Sequence, residues 1–84
     1  DEKVEVGLKV RHDVASHFVQ RQLRPEQQLI KELEDGGLLL SSNVVNAKQI
    51  LPLVRYWIPH IKIVSPEGWQ AQMVAELREY LGEE

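Results

Sequence analysis

The chain has 84 residues, no cysteine and a net charge of −3, with a pI near 5.6. A chain this short forms at most one domain, and the lack of cysteine excludes disulfides and cysteine-based zinc sites. No apolar run approaches the roughly 20 residues of a membrane span, and the acidic balance argues against autonomous binding to duplex DNA. We therefore expect a single soluble domain over residues 1–84, with no membrane partner.

The first predicted element is a strand that begins almost at the first residue. Val4, Val6, Leu8 and Val10 alternate with polar residues or glycine, which is the period of a strand with one buried face. The chain lacks an initiator Met and enters this strand abruptly. We expect it to be a piece excised from the C-terminus of a longer protein.

A helix and a hairpin are predicted next. Asp13 is a candidate N-cap, helical spacing of apolar residues follows it, and Pro25 ends the helix. Two apolar runs, 28–33 and 38–45, then flank the dipeptide Asp35-Gly36. Because glycine accepts the positive φ angles of tight turns, this pattern predicts two antiparallel strands.

The second half of the chain predicts a helix, a strand and a last helix. Asn46 is a candidate cap for the helix that closes before Pro59, and Pro52 falls within its first turns. A short strand follows at 60–63. The last helix starts after Pro66 and stops at Gly82. Its apolar stripe has members four residues apart: Trp69, Met73, Leu77 and Leu81.

This order predicts an α+β fold. A strand, a helix, two hairpin strands, a helix and a strand form the ferredoxin-like βαββαβ arrangement, an antiparallel sheet with an additional C-terminal helix. Both helices of the βαββαβ unit are expected on one face of the sheet. The last helix is expected on that face or at an edge.

Catalytic and metal chemistry find little support in the sequence. His12 and His17 are five residues apart, unlike the i, i+4 pair of a helical metal site. Ser41 and Ser42 lack a nucleophile-elbow pattern, and Gly36-Gly37 lacks the setting of a phosphate-binding loop. The predicted strands carry no aromatic residue on which RNA bases would stack. We predict no enzyme activity, no metal and no other cofactor.

Two groups of residues are candidates for contacts with a ligand or partner. Arg11, Arg21 and Arg24 group around the first helix, and Arg55 lies in the second. Guanidinium groups suit the phosphates of a nucleotide or nucleic acid. On the last helix, Trp69 and Met73 head a stripe that would form an interface if it were not docked.

Short motifs run in order along nearly the whole chain. They are the opening Val-x-Val-x-Leu-x-Val strand, Phe18-Val19-Gln20-Arg21, Gln28 before Leu29-Ile30, Asp35-Gly36, Leu53-Val54-Arg55-Tyr56-Trp57-Ile58 and Ile61-Lys62-Ile63-Val64-Ser65-Pro66. In this order they resemble the C-terminal extension, called WCX, that follows the WYL domain in bacterial helix-turn-helix transcriptional regulators.

The resemblance implies a cytoplasmic transcription regulator that binds DNA through an N-terminal domain absent from this chain. It further implies contacts between copies, as in a homo-oligomer, or with a WYL domain. It also implies help in sensing a nucleotide or single-stranded nucleic-acid effector. The sequence leaves open a free-standing small-molecule-binding regulatory module of the same βαββαβ plan, and an interaction protein without a ligand.

Overall fold

A computed structural model of the chain describes residues 2–20 and 26–83. Within these residues the fold is mixed α/β, with four strands in one antiparallel sheet and three α-helices. The strands are β1 (Val4–Val10), β2 (Gln28–Glu32), β3 (Leu38–Val44) and β4 (Ile61–Ser65), and the helices are α1 (Ala15–Gln20), α2 (Leu51–Tyr56) and α3 (Trp69–Leu81). The strands are arranged in the order β2-β3-β1-β4.

Strand β1 lies at the centre of this sheet and pairs with β3 on one side and β4 on the other. Leu8 stands opposite Leu40 of β3 and Ile63 of β4, and all three side chains are buried. Val6 and Val10 are buried on the same face, whereas Lys9 between them is exposed. The strand predicted from the alternation is therefore confirmed.

A single hydrophobic cluster joins this face of the sheet to the helices. Each α-helix adds buried side chains to it: Ala15 and Phe18 from α1, Leu51 and Val54 from α2, and Met73 from α3. Because these residues share one cluster with the buried side of β1, the helices cover one face of the sheet. On the opposite face Glu5, Lys9 and Asn43 are exposed, whereas Ser41 is buried.

Two of the predicted helix starts are wrong by a few residues. A 3₁₀ turn at His12–Val14 precedes α1, and the Asp13 carboxylate bonds to Arg11 instead of capping a helix. Asn46 does cap, but it accepts a 3.0 Å bond from the Lys48 backbone N–H in a second 3₁₀ turn, and α2 begins at Leu51. Such turns commonly lead into helices. The part of the first predicted helix at 21–25 lies outside the described residues.

The hairpin between β2 and β3 is confirmed. Gly36 has a φ of 91°, and the Leu33 N–H donates a 2.8 Å bond to the Gly37 carbonyl. A Cβ atom at Gly37 would lie only 2.6 Å from the Val10 carbonyl oxygen. The turn therefore approaches the end of β1 more closely than any residue with a side chain would allow.

Each edge strand contains one residue outside the regular pairing. On β2, Leu29 pairs with Leu40 and Lys31 with Leu39, so Ile30 is extra. On β4, the pairing with β1 shifts in the same way around Val64. Ile30 and Val64 are each 52% exposed. These are β-bulges, which disrupt a ladder locally and increase its twist.

Helix α3 follows its sequence pattern closely. It ends at Gly82, which has a φ of 80° and lies at the C-cap as predicted. Met73 is 2% exposed, and Trp69 and Leu77 pack partly buried against the core. The stripe is therefore docked on the rest of the chain, whereas Leu81 at its end is 65% exposed.

Docking of α3 through Met73 can be tested by shortening this side chain to alanine. We expect Met73→Ala to lower the free energy of unfolding by about 2–5 kcal/mol, because it removes buried contacts and leaves a cavity. Leu81→Ala, on the same helix but exposed, should change it by less than about 0.5 kcal/mol. Urea unfolding of both variants measures this. Equal effects would mean that α3 is not docked through Met73.

Candidate functional site

A small cleft of about 190 Å³ lies where the end of β1 meets the start of β4. Its walls combine basic side chains with the turn between β2 and β3. The lining residues are Lys9, Val10, Arg11, Asp35, Pro59, His60 and Lys62. We call this the β1–β4 cleft.

Backbone contacts fix the shape of the β1–β4 cleft. The Arg11 N–H donates a 2.8 Å bond to the His60 carbonyl, which carries the pairing of β1 and β4 one step beyond the strands. The close approach of Gly37 to Val10 brings Asp35 to the opposite wall. There the Asp35 Oδ1 atom accepts a 2.9 Å bond from the Gly37 N–H. The backbone segments on either side of the cleft are therefore fixed relative to one another by these contacts.

Asp13 organises the basic groups at one rim of the cleft. Arg11 Nη2 donates a 2.9 Å bond to Asp13 Oδ2, and His60 Nδ1 lies 3.3 Å from Asp13 Oδ1 without hydrogen-bond geometry. Desolvation raises the pKa of Asp13, but the hydrogen bond from Arg11 and the charges of Arg11 and His60 outweigh it. The net result is a pKa below the usual value for aspartate. The carboxylate thus stays ionised and orients Arg11.

Two lysines face each other in this cleft. Lys9 on β1 is directly opposite Lys62 on β4, and both are exposed on the face away from the core. Within residues 2–20 and 26–83, neither makes an ion pair. Sequence reasoning missed this pair, although the alternation of both strands places each lysine on the outer face. The sequence does not give the register between β1 and β4, which places the two lysines opposite one another.

A second, larger groove runs between α2 and α3, with a volume of about 690 Å³. Arg55 Nη1 donates a 2.9 Å bond to Glu76 Oε1 across it. Tyr80, 86% exposed, lies at its α3 side, and Ile58 lies at the end of α2. We call this the α2–α3 groove.

The structure separates the predicted arginine contacts. Arg11 lines the β1–β4 cleft, and Arg55 lines the α2–α3 groove. Each already bonds to a carboxylate, at 2.9 Å in both cases. Arg21 and Arg24 lie outside the described residues. Arg11 and Arg55 therefore belong to two different surfaces.

The two predicted interface residues, Trp69 and Met73, are not on the open surface of α3. Met73 is buried in the core, and Trp69 is partly buried against it. The exposed large apolar side chains on α3 are Tyr80 and Leu81 instead. Whether α3 takes part in association stays a prediction, now centred on its C-terminal end.

The described residues also bear on three other kinds of site: a metal site, a membrane span and a stacking surface of aromatic residues. No group of three or more histidine or acidic side chains there could hold a metal ion. No helix in that part of the chain is long and apolar enough to cross a bilayer. The aromatic residues of this region lie on or beside the helices, as in the contact of Phe18 with Trp57, whose ring centroids are 5.2 Å apart.

The family model for the WCX domain matches residues 2–81 of the chain. The chain belongs to the WCX domain family. A search among curated proteins found no match to this WCX domain. The match spans both the β1–β4 cleft and the α2–α3 groove, and it gives the domain the context of a regulatory domain of WYL-type transcriptional regulators.

The role of Arg11 in this WCX domain can be tested by titration. Because Arg11 donates to Asp13, we expect Arg11→Gln to raise the pKa of Asp13 toward its usual value. A lowered pKa contributes stability above the unfolded-state pKa and loses it as the pH falls through the folded-state value. As the pH is lowered below about 4, the free energy of unfolding should therefore fall less in Arg11→Gln than in the original chain.

NMR titration of the Asp13 carboxyl carbon measures this pKa directly. Arg55→Gln removes the same charge from the α2–α3 groove and serves as the control. An unchanged Asp13 titration in Arg11→Gln would show that Arg11 does not hold this carboxylate.

Proposed function

We propose that this WCX domain is a non-catalytic regulatory and dimerisation domain of a bacterial WYL-type transcriptional regulator. The observation that carries the proposal is the family match over residues 2–81. In the parent protein a preceding domain binds DNA, and this domain couples effector or partner contacts to it. Such coupling requires two arrangements that differ in their affinity for the effector. The proposed location is the cytoplasm.

The two surfaces described above support a regulatory role. A coupling domain needs one surface for a neighbouring domain or copy and one for an effector. The α2–α3 groove, with exposed Tyr80 and Ile58, suits a protein contact, since aromatic residues are enriched at interfaces. The β1–β4 cleft, with Lys9, Arg11 and Lys62, suits an anionic effector such as a nucleotide or single-stranded nucleic acid.

We also propose that the fold is the ferredoxin-like βαββαβ arrangement with an added C-terminal helix. In the order β2-β3-β1-β4, strand β3 separates β1 from β2, and β1 separates β3 from β4. Each strand–helix–strand unit is thus split by a strand of the other unit. This interleaving supports the assignment.

Dimerisation through the end of α3 gives a prediction about solution mass. We expect light scattering to report a dimer of the 84-residue chain at high micromolar concentration. Tyr80→Glu should convert it to a monomer, because it places a charge in an apolar contact. Val19→Glu, a similar change at a 62% exposed position on α1, should leave the dimer intact. A monomer at all concentrations would exclude self-association by this domain alone.

Effector contact through the arginines gives a second prediction. We expect joint replacement of Arg11, Arg21, Arg24 and Arg55 by glutamine to weaken binding of a single-stranded oligonucleotide by about tenfold or more, because each lost phosphate contact removes a charge-assisted bond. Fluorescence anisotropy at fixed salt measures this. Arg78→Gln, which removes one arginine charge outside both the β1–β4 cleft and the α2–α3 groove, is the control. Unchanged affinity in the arginine variant would show that none of the four arginines contacts the oligonucleotide.

A further inference from the structure

The β1–β4 cleft contains a charge arrangement that the fold does not need. Lys9 and Lys62 form a direct cross-strand pair on the exposed face of the sheet. Cβ atoms of such pairs are about 4.5–5.5 Å apart, and like charges in this position destabilise a sheet. Neither lysine has an ion-pair partner within the described part of the chain. An acidic protein thus keeps two unpaired, mutually repelling cations side by side.

The surroundings of this pair combine positive charge inside the cleft with carboxylates beside it, since Lys9 also borders a groove that is lined by Glu32, Glu34 and Asp35. Arg11 lines the same cleft, and its bond to Asp13 fixes the guanidinium while leaving other donors free. Asp35 is the one carboxylate among the lining residues, and its Oδ1 is engaged by the Gly37 N–H. His60 completes the wall beside Pro59. The cleft therefore presents convergent cationic donors around a small space.

We infer that the β1–β4 cleft binds a phosphate group, with Lys9 and Lys62 as its principal ligands and Arg11 at the rim. A phosphate monoester carries about −1.5 to −2 charge and three acceptor oxygens on one small group, so a single anion neutralises both lysines. A carboxylate carries one charge and two oxygens. Two adjacent lysines thus match the charge of one phosphate better than the charge of one acidic side chain.

The size of the cleft limits what enters it. Its volume of about 190 Å³ is below the roughly 300–1,000 Å³ of pockets that enclose whole small molecules. A phosphate or pyrophosphate group fits, while the remainder of a larger ligand stays outside. The neighbouring strands offer no aromatic side chain for base stacking. Recognition at this site is therefore of the phosphate and not of a base.

This inference deepens the proposed function, because it gives the chemical class of effector group that one of the two surfaces takes. Phosphate could come from a nucleotide or from the end of a nucleic-acid strand. Both sources present the same chemistry to Lys9 and Lys62. The experiment below separates them.

The test uses the 84-residue chain and inorganic pyrophosphate as the probe. We expect saturable binding by calorimetry and a rise in melting temperature with pyrophosphate concentration, since a ligand of the folded state stabilises it. Lys9→Gln/Lys62→Gln should weaken binding by at least about tenfold, as lost charge-assisted bonds predict. Lys9→Arg/Lys62→Arg should retain it. Lys48→Gln, at an exposed lysine outside the cleft, should bind like the original chain.

Stability without ligand gives an independent readout. At low salt and without pyrophosphate, Lys9→Gln/Lys62→Gln should melt at a higher temperature than the original chain, because the repulsion is gone. This outcome also shows that the variant folds. A lower melting temperature would mean that the lysine pair stabilises the sheet, and it would contradict the inference.

Two further ligands identify the source and the class of anion. A 5′-phosphorylated oligothymidylate that binds better than its 5′-hydroxyl counterpart, with the difference lost in Lys9→Gln/Lys62→Gln, supports the site with a strand end as the source. Equal oligonucleotide binding, with pyrophosphate binding still lost in that variant, supports it with a free nucleotide as the source. Poly-glutamate binding as tight as pyrophosphate, or no saturable pyrophosphate binding, overturns it. None of these results depends on dimerisation or on a WYL domain, so the proposed function can fail or stand separately.

Discussion

The pairing of β1 on both of its edges is the constraint on which the rest of this WCX domain depends. The strand lies between β3 and β4, and its buried side is the centre of the hydrophobic cluster that anchors every described helix. The same pairing sets the outer face, since each residue buried on one side fixes its neighbour on the other. A slip of one residue would exchange Leu8 for Lys9 in the core. Core and candidate site are therefore two sides of one register.

This link explains why a basic cleft persists in an acidic chain. Lys9 cannot leave the outer face without removing Leu8 and Val10 from the core. Its position opposite Lys62 follows from the register of β1 with β4. What the register does not require is lysine at both positions, because any polar residue serves an exposed face. Lysine at both positions is thus not required for folding. Binding of an anionic ligand gives a reason for it that folding does not.

Local patterns predicted most of the elements and the β2–β3 hairpin, but not which side chains of distant segments lie together. The alternation of β1, the Asp35-Gly36 turn and the stop of α3 at Gly82 each rest on neighbours in sequence, and each is confirmed. The predicted helix starts near Asp13 and Asn46 are wrong for different reasons. The Asp13 carboxylate bonds to Arg11 and caps nothing, and the Asn46 side chain caps a 3₁₀ turn that precedes the helix. The lysine pair and the separation of Arg11 from Arg55 depend on contacts between distant segments, which periodicity does not encode.

The extra residues in the two edge strands have a consequence for how copies of this domain can meet. An edge strand normally offers a continuous row of backbone groups to which another strand can add. Ile30 and Val64 are bulged residues in the two strands at the margins of the sheet, and a bulge bends its strand and increases the local twist. Edge-to-edge pairing, in which the sheet of one molecule continues into the sheet of the next, is thereby disfavoured. The helical layer is therefore the better candidate surface for the proposed dimerisation, because contacts there are made by side chains and can end at a defined number of copies.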